Sequence, residues 1–351
     1  ISSYTMIGQN TKALAKAEAL LPQLTPGSVP YGLVLFGCLN ARLTRGEFRQ
    51  LVQEMEEAAT ILKQNFESLH RQLIWAYAFC SFIREDAIAW LGEPVGKDDY
   101  AAIPLEIGQR YDFLDLVFWS YYPEVVRNSL TGRYPAIRAV SDEIFALIKK
   151  MGRPIQHENR FQVCLAFAAI EYGDIAEGER YAHKVVALGE RMKNPHQQAS
   201  GKILEGMIAE QRLHLDDAAA CFAAAVELSR QSETDQLLPA LYRLAEVQLK
   251  QKAFEAAEAL LTEAHELACS KRLENPYHQI QTWRIKARLE SEKDPTSARI
   301  PEWYGQSIAL AESTDNPYQS ALGHGALGSW YVEREELDKA ETHLEAAAKA
   351  W

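Results

Sequence analysis

Two consecutive copies of one helix-pair pattern, within residues 200–267, place the tightest constraint on how this chain can fold. In each copy a small residue is followed 12 positions later by a second small residue, and then by residues 4 and 7 positions further on. Steps of 4 and 7 return to one face of a helix, so each copy predicts two helices that cross at small side chains. The first copy consists of Gly206, Ala218, Phe222 and Ala225, and the second of Ala245, Ala257, Leu261 and Ala264.

The small residues at the crossing let two antiparallel helices approach to about 8–10 Å, while a bulky residue fills the space beside them. Phe222 and Leu261 are these bulky residues. The order small, small, bulky, small resembles that of the tetratricopeptide repeat. This resemblance implies a right-handed superhelix whose inner groove is lined by the first helix of every pair. Members of the family usually bind a peptide, a helix or a partner domain in that groove.

The same spacing recurs along the chain at a step of about 40 residues, which is longer than the roughly 34 residues of the standard repeat. Two of the intervals between successive copies of the pattern are about twice as wide, and each of these intervals predicts one degenerate repeat unit. In the first we expect helices over 70–82 and 104–121, and in the second over 277–290 and 301–313. The key position of the second helix is occupied by Ala13, Leu51, Ile137, Gly178, Ala218, Ala257 and Ala340.

An Asn-Pro pair precedes three of the predicted first helices, at 194–195, 275–276 and 316–317. Proline is favoured at the first helical position, and the residue before it is pushed into an extended conformation. The sustained alternation of Val, Ile and Thr that marks strands is almost absent. The sequence therefore predicts an all-α fold, an α-solenoid of about nine antiparallel helix pairs.

We expect one continuous helical-repeat array over residues 1–351, irregular and aromatic-rich over 1–150 and more regular over 151–351. No polar capping helix is evident at either end, although solenoids usually need one for solubility. We therefore expect the chain to be a segment of a longer protein. The long repeat and the irregular first half are also similar to the helical arms of large bacterial signalling proteins, where such arms follow a nucleotide-binding switch domain or a kinase.

The amino-acid composition limits which binding partners and which cellular compartment we expect for this chain. The net charge of −11 argues against nucleic acid as the main partner, because phosphate binding needs clustered Lys and Arg. Five cysteines lie far apart with no Cys-x-x-Cys pair, which is typical of a reducing compartment and predicts a cytoplasmic protein. No apolar run approaches the roughly 18–20 residues of a membrane span. We therefore expect neither a nucleic acid nor a membrane as partner.

Two stretches resemble catalytic motifs but lack the context that the chemistry needs. Residues 323–328 match G-x-G-x-x-G, yet a dinucleotide site places this turn after a strand, and here it falls within a predicted helix. His265 and Glu266 begin like a zinc-protease motif, but Cys269 replaces the second histidine. The other histidines are scattered, and no catalytic triad can be assigned. We therefore predict no enzymatic activity, no metal site and no cofactor.

The middle of the N-terminal half is unusually rich in bulky aromatic residues, for which two interpretations remain open. Irregular repeat units need larger side chains to fill imperfect helix contacts, so the aromatics fit a packing role. They equally fit an aromatic-lined pocket or docking surface at a break in the superhelix. The residues are Trp75, Tyr77, Phe79, Phe82, Phe113, Phe118, Trp119, Tyr121 and Tyr122.

The resemblance to the tetratricopeptide repeat also implies which side chains face the groove. It gives a mixed surface that is apolar with a few charges. Ile203 and Met207 occupy the places of Lys and Asn in the family's two-carboxylate clamp, so we exclude the binding of chaperone C-termini. The implied partner-binding residues are Arg160, Val163, Phe167, Ile203, Met207, Glu210, Tyr242, Glu246 and Leu249.

These observations lead to a primary hypothesis and one alternative. The primary hypothesis is a protein-interaction scaffold that binds a peptide or a partner domain in the concave groove. The alternative is a sensory or regulatory arm of a multidomain signalling ATPase or kinase. Such an arm would bind a small ligand or its own switch domain and relay a conformational change.

Overall fold

The structure is a computed structural model that describes residues 9–65, 70–93 and 99–350. Within those ranges every regular element is a helix, which confirms the all-α prediction, and consecutive helices pack in pairs. The N-terminal helices are α1 (Asn10–Leu20), α2 (Val29–Arg45), α3 (Phe48–Gln64), α4 (Arg71–Leu91), α5 (Ile103–Tyr111), α6 (Leu114–Leu130) and α7 (Tyr134–Lys150). The C-terminal helices are α8 (Ile155–Tyr172), α9 (Ile175–Met192), α10 (Pro195–Gln211), α11 (Leu215–Ser232), α12 (Leu237–Lys250), α13 (Phe254–Cys269), α14 (Pro276–Lys293), α15 (Arg299–Ser313), α16 (Pro317–Glu333) and α17 (Leu337–Ala350).

The pair α10–α11 shows why the repeat pattern specifies this fold. Ala218, Phe222 and Ala225 are fully buried on α11, and the Phe222 ring lies against Gly206 on α10. A Cβ atom at Gly206 would lie 2.6 Å from that ring, so only glycine fits beside it. The bulky residue thus fills the space that the small residue leaves, as the repeat pattern predicts.

The Asn-Pro pairs begin first helices, as predicted. Asn194, Asn275 and Asn316 precede α10, α14 and α16, and the side-chain oxygen of each accepts a hydrogen bond from a backbone N–H of the first turn, at 3.0, 3.3 and 3.1 Å. The proline that follows has no N–H to leave unsatisfied. These caps fix the start of three inner helices at equivalent places in the solenoid.

The two degenerate units differ in how well the sequence predicted them. The unit over 277–290 and 301–313 is confirmed as α14 and α15. In the other unit the first helix continues beyond 82 to Leu91, and the prediction of one helix over 104–121 is wrong. The chain turns at Asp112, which has a left-handed φ of 55°, and forms α5 and α6 instead. Gly108 permits this turn to be tight, because a Cβ atom there would lie 2.9 Å from the Val117 side chain.

Several aromatic residues of the N-terminal half form one packed cluster. Phe79, Phe82, Phe118 and Trp119 are buried, with ring centroids 4.7 Å apart for Phe82–Trp119 and 4.8 Å for Phe118–Trp119. Edge-to-face and offset-stacked contacts of this kind fill the space between α4 and α6. The packing interpretation therefore holds for these rings, whereas Tyr122 at the edge of the cluster also lines a cavity.

The motif-like glycines of 323–328 lie inside α16, where two of them serve helix packing. A Cβ atom at Gly323 would lie 2.7 Å from Ile308, and one at Gly328 would lie 2.8 Å from Leu344. Gly325 faces open space. The stretch therefore makes a helix–helix contact and not a phosphate-binding turn.

All five cysteines are free thiols. Among the helices of residues 9–65, 70–93 and 99–350, none combines the length and apolar character that a membrane crossing requires.

A pair of Gly→Ala substitutions is expected to change stability in opposite directions. Gly206→Ala should lower the free energy of unfolding by about 1–2 kcal/mol, since its new methyl group meets the immobile ring of Phe222. Gly325→Ala is the matched control and should raise it by about 0.5–1 kcal/mol, because alanine costs less backbone entropy in a helix. Urea denaturation of both variants measures the difference. Equal effects of the two substitutions would contradict the crossing geometry.

Candidate ligand-binding cavity

The N-terminal helices fold back onto the solenoid, so that the C-terminal ends of α2, α4 and α6 contact the loops that precede α12, α14 and α16. The backbone N–H of Asp235 donates to the carbonyl of Thr44 at 2.9 Å, and the side-chain amide of Asn316 donates to the carbonyl of Leu130 at 3.1 Å. We call this contact region the seam. It comprises residues 44–49, 90–93 and 130–133 on the N-terminal side and 233–236, 272–278 and 314–318 on the C-terminal side.

Ion pairs and glycine caps hold the two sides of the seam together. Arg45 pairs with Glu233 at 2.9 Å across it. Gly92, which ends α4, has a left-handed φ of 64°, and a Cβ atom there would lie 2.7 Å from Thr314. Glycine is therefore required twice, once for the backbone conformation and once for the close approach.

A cavity lies behind the seam, between α2, α4 and α6 on one side and α8, α10, α12 and α14 on the other. It contains about 1040 Å³ of space free of protein atoms, part of it open to solvent. Its apolar walls are formed by Phe48, Trp90, Tyr122, Val163, Phe167, Ile203, Tyr242 and Tyr277.

One part of the cavity wall carries buried polar groups that have no hydrogen-bond partner. Asp86 on α4 is 1% exposed, and its Oδ1 is unpartnered. The Nε of Arg160 on α8 and the Nδ1 atoms of His196 on α10 and His278 on α14 are also buried and unpartnered. Asp235, before α12, lies beside His196, with 3.4 Å between Oδ1 and Nδ1 but without hydrogen-bond geometry. A buried polar atom without a partner costs free energy, so this wall is arranged for something other than stability alone.

Burial controls the protonation of these groups. It raises the pKa of Asp86 to about 7, although the nearby Arg160 guanidinium acts to lower it. Burial likewise raises the pKa of Asp235 to about 7, against the hydrogen bond from Gln236 and the Arg160 charge. It lowers the pKa of His196 to about 3, so that this imidazole is neutral at neutral pH.

The same desolvation acts on the second cavity histidine. Burial lowers the pKa of His278 to about 3. At neutral pH the cavity thus holds one guanidinium, two neutral imidazoles and two carboxyl groups whose ionisation is disfavoured by burial.

Five of the nine residues that the resemblance places in the groove line this cavity: Arg160, Val163, Phe167, Ile203 and Tyr242. The other four, which are Met207, Glu210, Glu246 and Leu249, do not. Met207 and Leu249 are buried among the helices, and Glu210 and Glu246 take part in ion pairs.

Glu210 belongs to a charge cluster on the inner helices, away from the cavity. Lys250 pairs with Glu210 at 2.6 Å, and Arg243 lies 3.9 Å from it while making a close ion pair with Glu171. Tyr318 donates a hydrogen bond to Glu171 at 2.8 Å. These partners tie α8, α10, α12 and α16 together, so the cluster connects four inner helices through side-chain charges.

Sequence reasoning missed the polar groups of the cavity, namely Asp86, Asp235, His196 and His278. One signal was present: the charged triplet 84–86 stands within α4, a helix that is otherwise largely apolar. Charges are almost never fully buried unless they are paired, so such a triplet inside an apolar helix is a candidate site. The other three residues lie at or near helix starts, where they look like ordinary cap-region residues.

The partial zinc motif is not completed in the structure. The His265 ring meets the Trp283 ring edge to face with centroids 4.3 Å apart, and the sulfur of Cys269 lies 3.7 Å from the His265 Nε2. Over residues 9–65, 70–93 and 99–350, no cluster of three or more His, Cys, Asp or Glu side chains could hold a metal ion.

Comparison with known proteins was made by sequence and by structure. No family model and no curated protein matches the sequence. By structure, the chain is similar to a Rap protein complexed with competence and sporulation factor, at TM-score 0.57 and 10% identity over 88% of this chain and 96% of that chain. It is also similar to the Rap conjugation gene regulator of plasmid pLS20 in complex with the Phr* peptide, at TM-score 0.53 and 14% identity over 92% and 95% of the two chains.

The chain has a tetratricopeptide-like helical-repeat fold. At these identities the likeness shows the fold alone. The chain is also similar to a signal transduction ATPase with numerous domains and a tetratricopeptide-repeat sensor from Pyrococcus horikoshii, at TM-score 0.40 and 12% identity. The match covers 97% of this chain and 52% of that protein. A TM-score this low supports no argument that the two proteins share a domain arrangement or a role. The tetratricopeptide-like fold nevertheless explains why inner helices supply most of the cavity wall.

Proposed function

We propose that the protein binds a peptide segment in the cavity behind the seam. The observation that carries this proposal is the set of buried, unpartnered polar atoms on an otherwise apolar cavity wall, on Asp86, Arg160, His196 and His278. A peptide supplies both the apolar side chains and the hydrogen-bonding groups that such a wall needs.

The two structural neighbours with TM-scores above 0.5 support a peptide as occupant. Each was solved with a bound factor or peptide, according to its description. Inner helices of a tetratricopeptide-like array are also where the resemblance implies that peptides bind. Five of the implied groove residues line this cavity.

A regulatory arm is the second candidate, and the position of the cavity favours it. Asp86 and Trp90 come from α4, on the N-terminal side of the seam, whereas Tyr242 and His278 come from inner helices on the other side. An occupant that contacts both sides stabilises the docked arrangement over any arrangement in which the seam is parted. Peptide binding and regulation are therefore compatible.

Peptide binding is tested with a bead-displayed synthetic library of short linear peptides. The wild-type protein should enrich a defined set of sequences, whereas Val163→Trp should not, because the indole fills the cavity from its α8 wall. Val332→Trp is the matched control, because Val332 is exposed at 46% on α16 and lies outside the cavity.

Melting curves followed by circular dichroism confirm that both variants are folded. Enrichment that survives Val163→Trp, or no enrichment on folded wild-type protein, would contradict peptide binding in this cavity.

A further inference from the structure

We propose that the polar wall of the cavity is a subsite for a single cationic group, an ammonium or a guanidinium, held between Asp86 and Asp235. This inference rests on the proposed function, since the cation is expected to belong to the bound peptide. It names the part of the peptide that the cavity recognises and the two acids that recognise it.

The charged groups of the polar wall include one more acid than base, so the wall can accommodate one more cation. Two carboxyl groups, Asp86 and Asp235, face the cavity together with one guanidinium, that of Arg160. Over the described ranges, Arg160 has no carboxylate within 4.0 Å, and neither acid is paired with Lys or Arg. With both acids ionised the wall carries one excess negative charge. A ligand cation removes this excess, whereas a ligand anion would have to bind beside two acids.

Asp86 is the stronger of the two anchors. It is 1% exposed, faces the cavity and keeps Oδ1 without a hydrogen bond. Burying a carboxyl group in this way costs free energy unless a donor approaches it. Since no residue of the described ranges donates a hydrogen bond to Oδ1, a ligand N–H is the group that would satisfy this atom.

Aromatic rings complete a setting that favours a cation over a neutral donor. Trp90, Tyr122, Tyr242 and Tyr277 all line the same cavity. The faces of Trp and Tyr rings attract ammonium and guanidinium groups, most strongly where water is excluded. Arg160 already uses this interaction, with its guanidinium carbon 5.8 Å from the Trp119 ring centroid. A second cation would find acids and ring faces arranged around one space.

The two acids lie on opposite sides of the seam. Asp86 belongs to α4, and Asp235 is anchored to α2 through the hydrogen bond that its backbone N–H donates to Thr44. A cation between them would therefore contact both parts of the chain at once. This placement distinguishes the subsite from a binding surface on the inner helices alone.

The inference is tested by comparing three bead-displayed libraries on the folded full-length chain. The first contains all side chains and free N-termini, the second lacks Lys and Arg, and the third also has acetylated N-termini. We expect strong enrichment from the first library, and a loss of at least about tenfold in bound protein from the third, because the buried acids then lack their cation. The second library shows whether the cation is the N-terminus or a side chain.

Asp86→Asn is the decisive variant, because it keeps the shape of the side chain and removes the charge. Its binding to cation-containing beads should fall by about tenfold or more, while Glu57→Gln, an exposed acid on α3, should bind as wild type. L-argininamide and spermidine, added alone, reveal whether a free amine occupies the same place.

The outcomes separate the inference from the proposed function. If no library is enriched and neither free amine binds, both the subsite and the proposed function fail. If the third library is enriched as strongly as the first, the protein binds peptides but the cationic subsite does not exist. If only the free amines bind, and their binding depends on Asp86, the cationic subsite is supported and the proposal that its ligand is a peptide is contradicted.

Discussion

Asp86→Asn is expected to stabilise the free protein at neutral and higher pH and, at the same time, to weaken its binding of cation-containing peptides. Burial raises the pKa of Asp86 from its ordinary 3.8 to about 7. Once the carboxyl group is ionised, a shift of this size lowers the free energy of unfolding of the wild-type protein by about 4 kcal/mol. The variant should therefore be more stable than wild type by up to about 4 kcal/mol at about pH 8, and nearly equal to it at about pH 4.

The sign follows from proton binding. Between about pH 4 and pH 7 the folded state keeps a proton on Asp86 that the unfolded chain has released, so wild-type stability falls as pH rises through this window. Asparagine has no proton to lose. His196 and His278, whose lowered pKa values give a contribution that rises with pH, are present in both proteins, so their effect cancels in the comparison. The titratable or charged groups that line the cavity with Asp86 are Arg160, Asp235, His196, His278, Tyr122, Cys164, Tyr242 and Tyr277.

Urea denaturation at several pH values provides the measurement. Glu57→Gln serves as the control, because Glu57 is exposed on α3, and it should leave the free energy of unfolding within about 0.5 kcal/mol of wild type at every pH. A difference between Asp86→Asn and wild type that does not grow with pH would show that Asp86 is not a buried, unpaired acid.

Arg243→Met should strongly destabilise the inner helices. Arg243 makes a close ion pair with Glu171 and also faces Glu210, and these side chains are 13%, 16% and 5% exposed. The positive charge of Arg243 contributes to a lowered pKa of Glu171, against the effect of burial. Removing the guanidinium leaves the buried Glu171 carboxylate without its ion-pair partner, whereas Glu210 keeps Lys250, and we expect a cost of about 3–5 kcal/mol.

Arg230→Met is a matched control for that experiment. Arg230 pairs with Glu263 at 2.6 Å on the outer helices, but both side chains are largely exposed, at 48% and 39%. Exposed pairs contribute about 0–1 kcal/mol, so this variant should be close to wild type. The double variant Arg243→Met, Glu171→Gln should recover part of the loss. Similar destabilisation by Arg230→Met and Arg243→Met would contradict the assignment of a buried charge cluster.

The parts of the fold that depend on neighbouring residues could be predicted from the sequence. The contact of Gly206 with Phe222 and the caps at Asn194, Asn275 and Asn316 each involve one helix pair or one helix end. The split at Asp112 was missed, because nothing in the apolar pattern of 104–121 marks a left-handed residue there. Aspartate can adopt the left-handed conformation, but the residues around Asp112 contain no signal that it does so here.

The cavity depends on the seam, which joins residues about 190 positions apart, such as Arg45 and Glu233. A repeat register gives each helix pair and its nearest neighbours, but it does not indicate that the N-terminal helices fold back onto the inner ones. Groove residues on α8, α10 and α12 could therefore be named, whereas Asp86 on α4 could not be placed beside them. The assignment of residues 1–351 to one continuous array remains a prediction.

The central claim is that a ligand occupies the cavity and contacts both sides of the seam. Hydrogen–deuterium exchange of the full chain, with and without the peptide most enriched from the unrestricted library, tests it most directly. We predict slower exchange in α4 around Asp86 and in the loop at Asp235, as well as in α8 and α10. Protection confined to the outer helices, or to the inner helices without α4, would contradict a cavity site that bridges the seam.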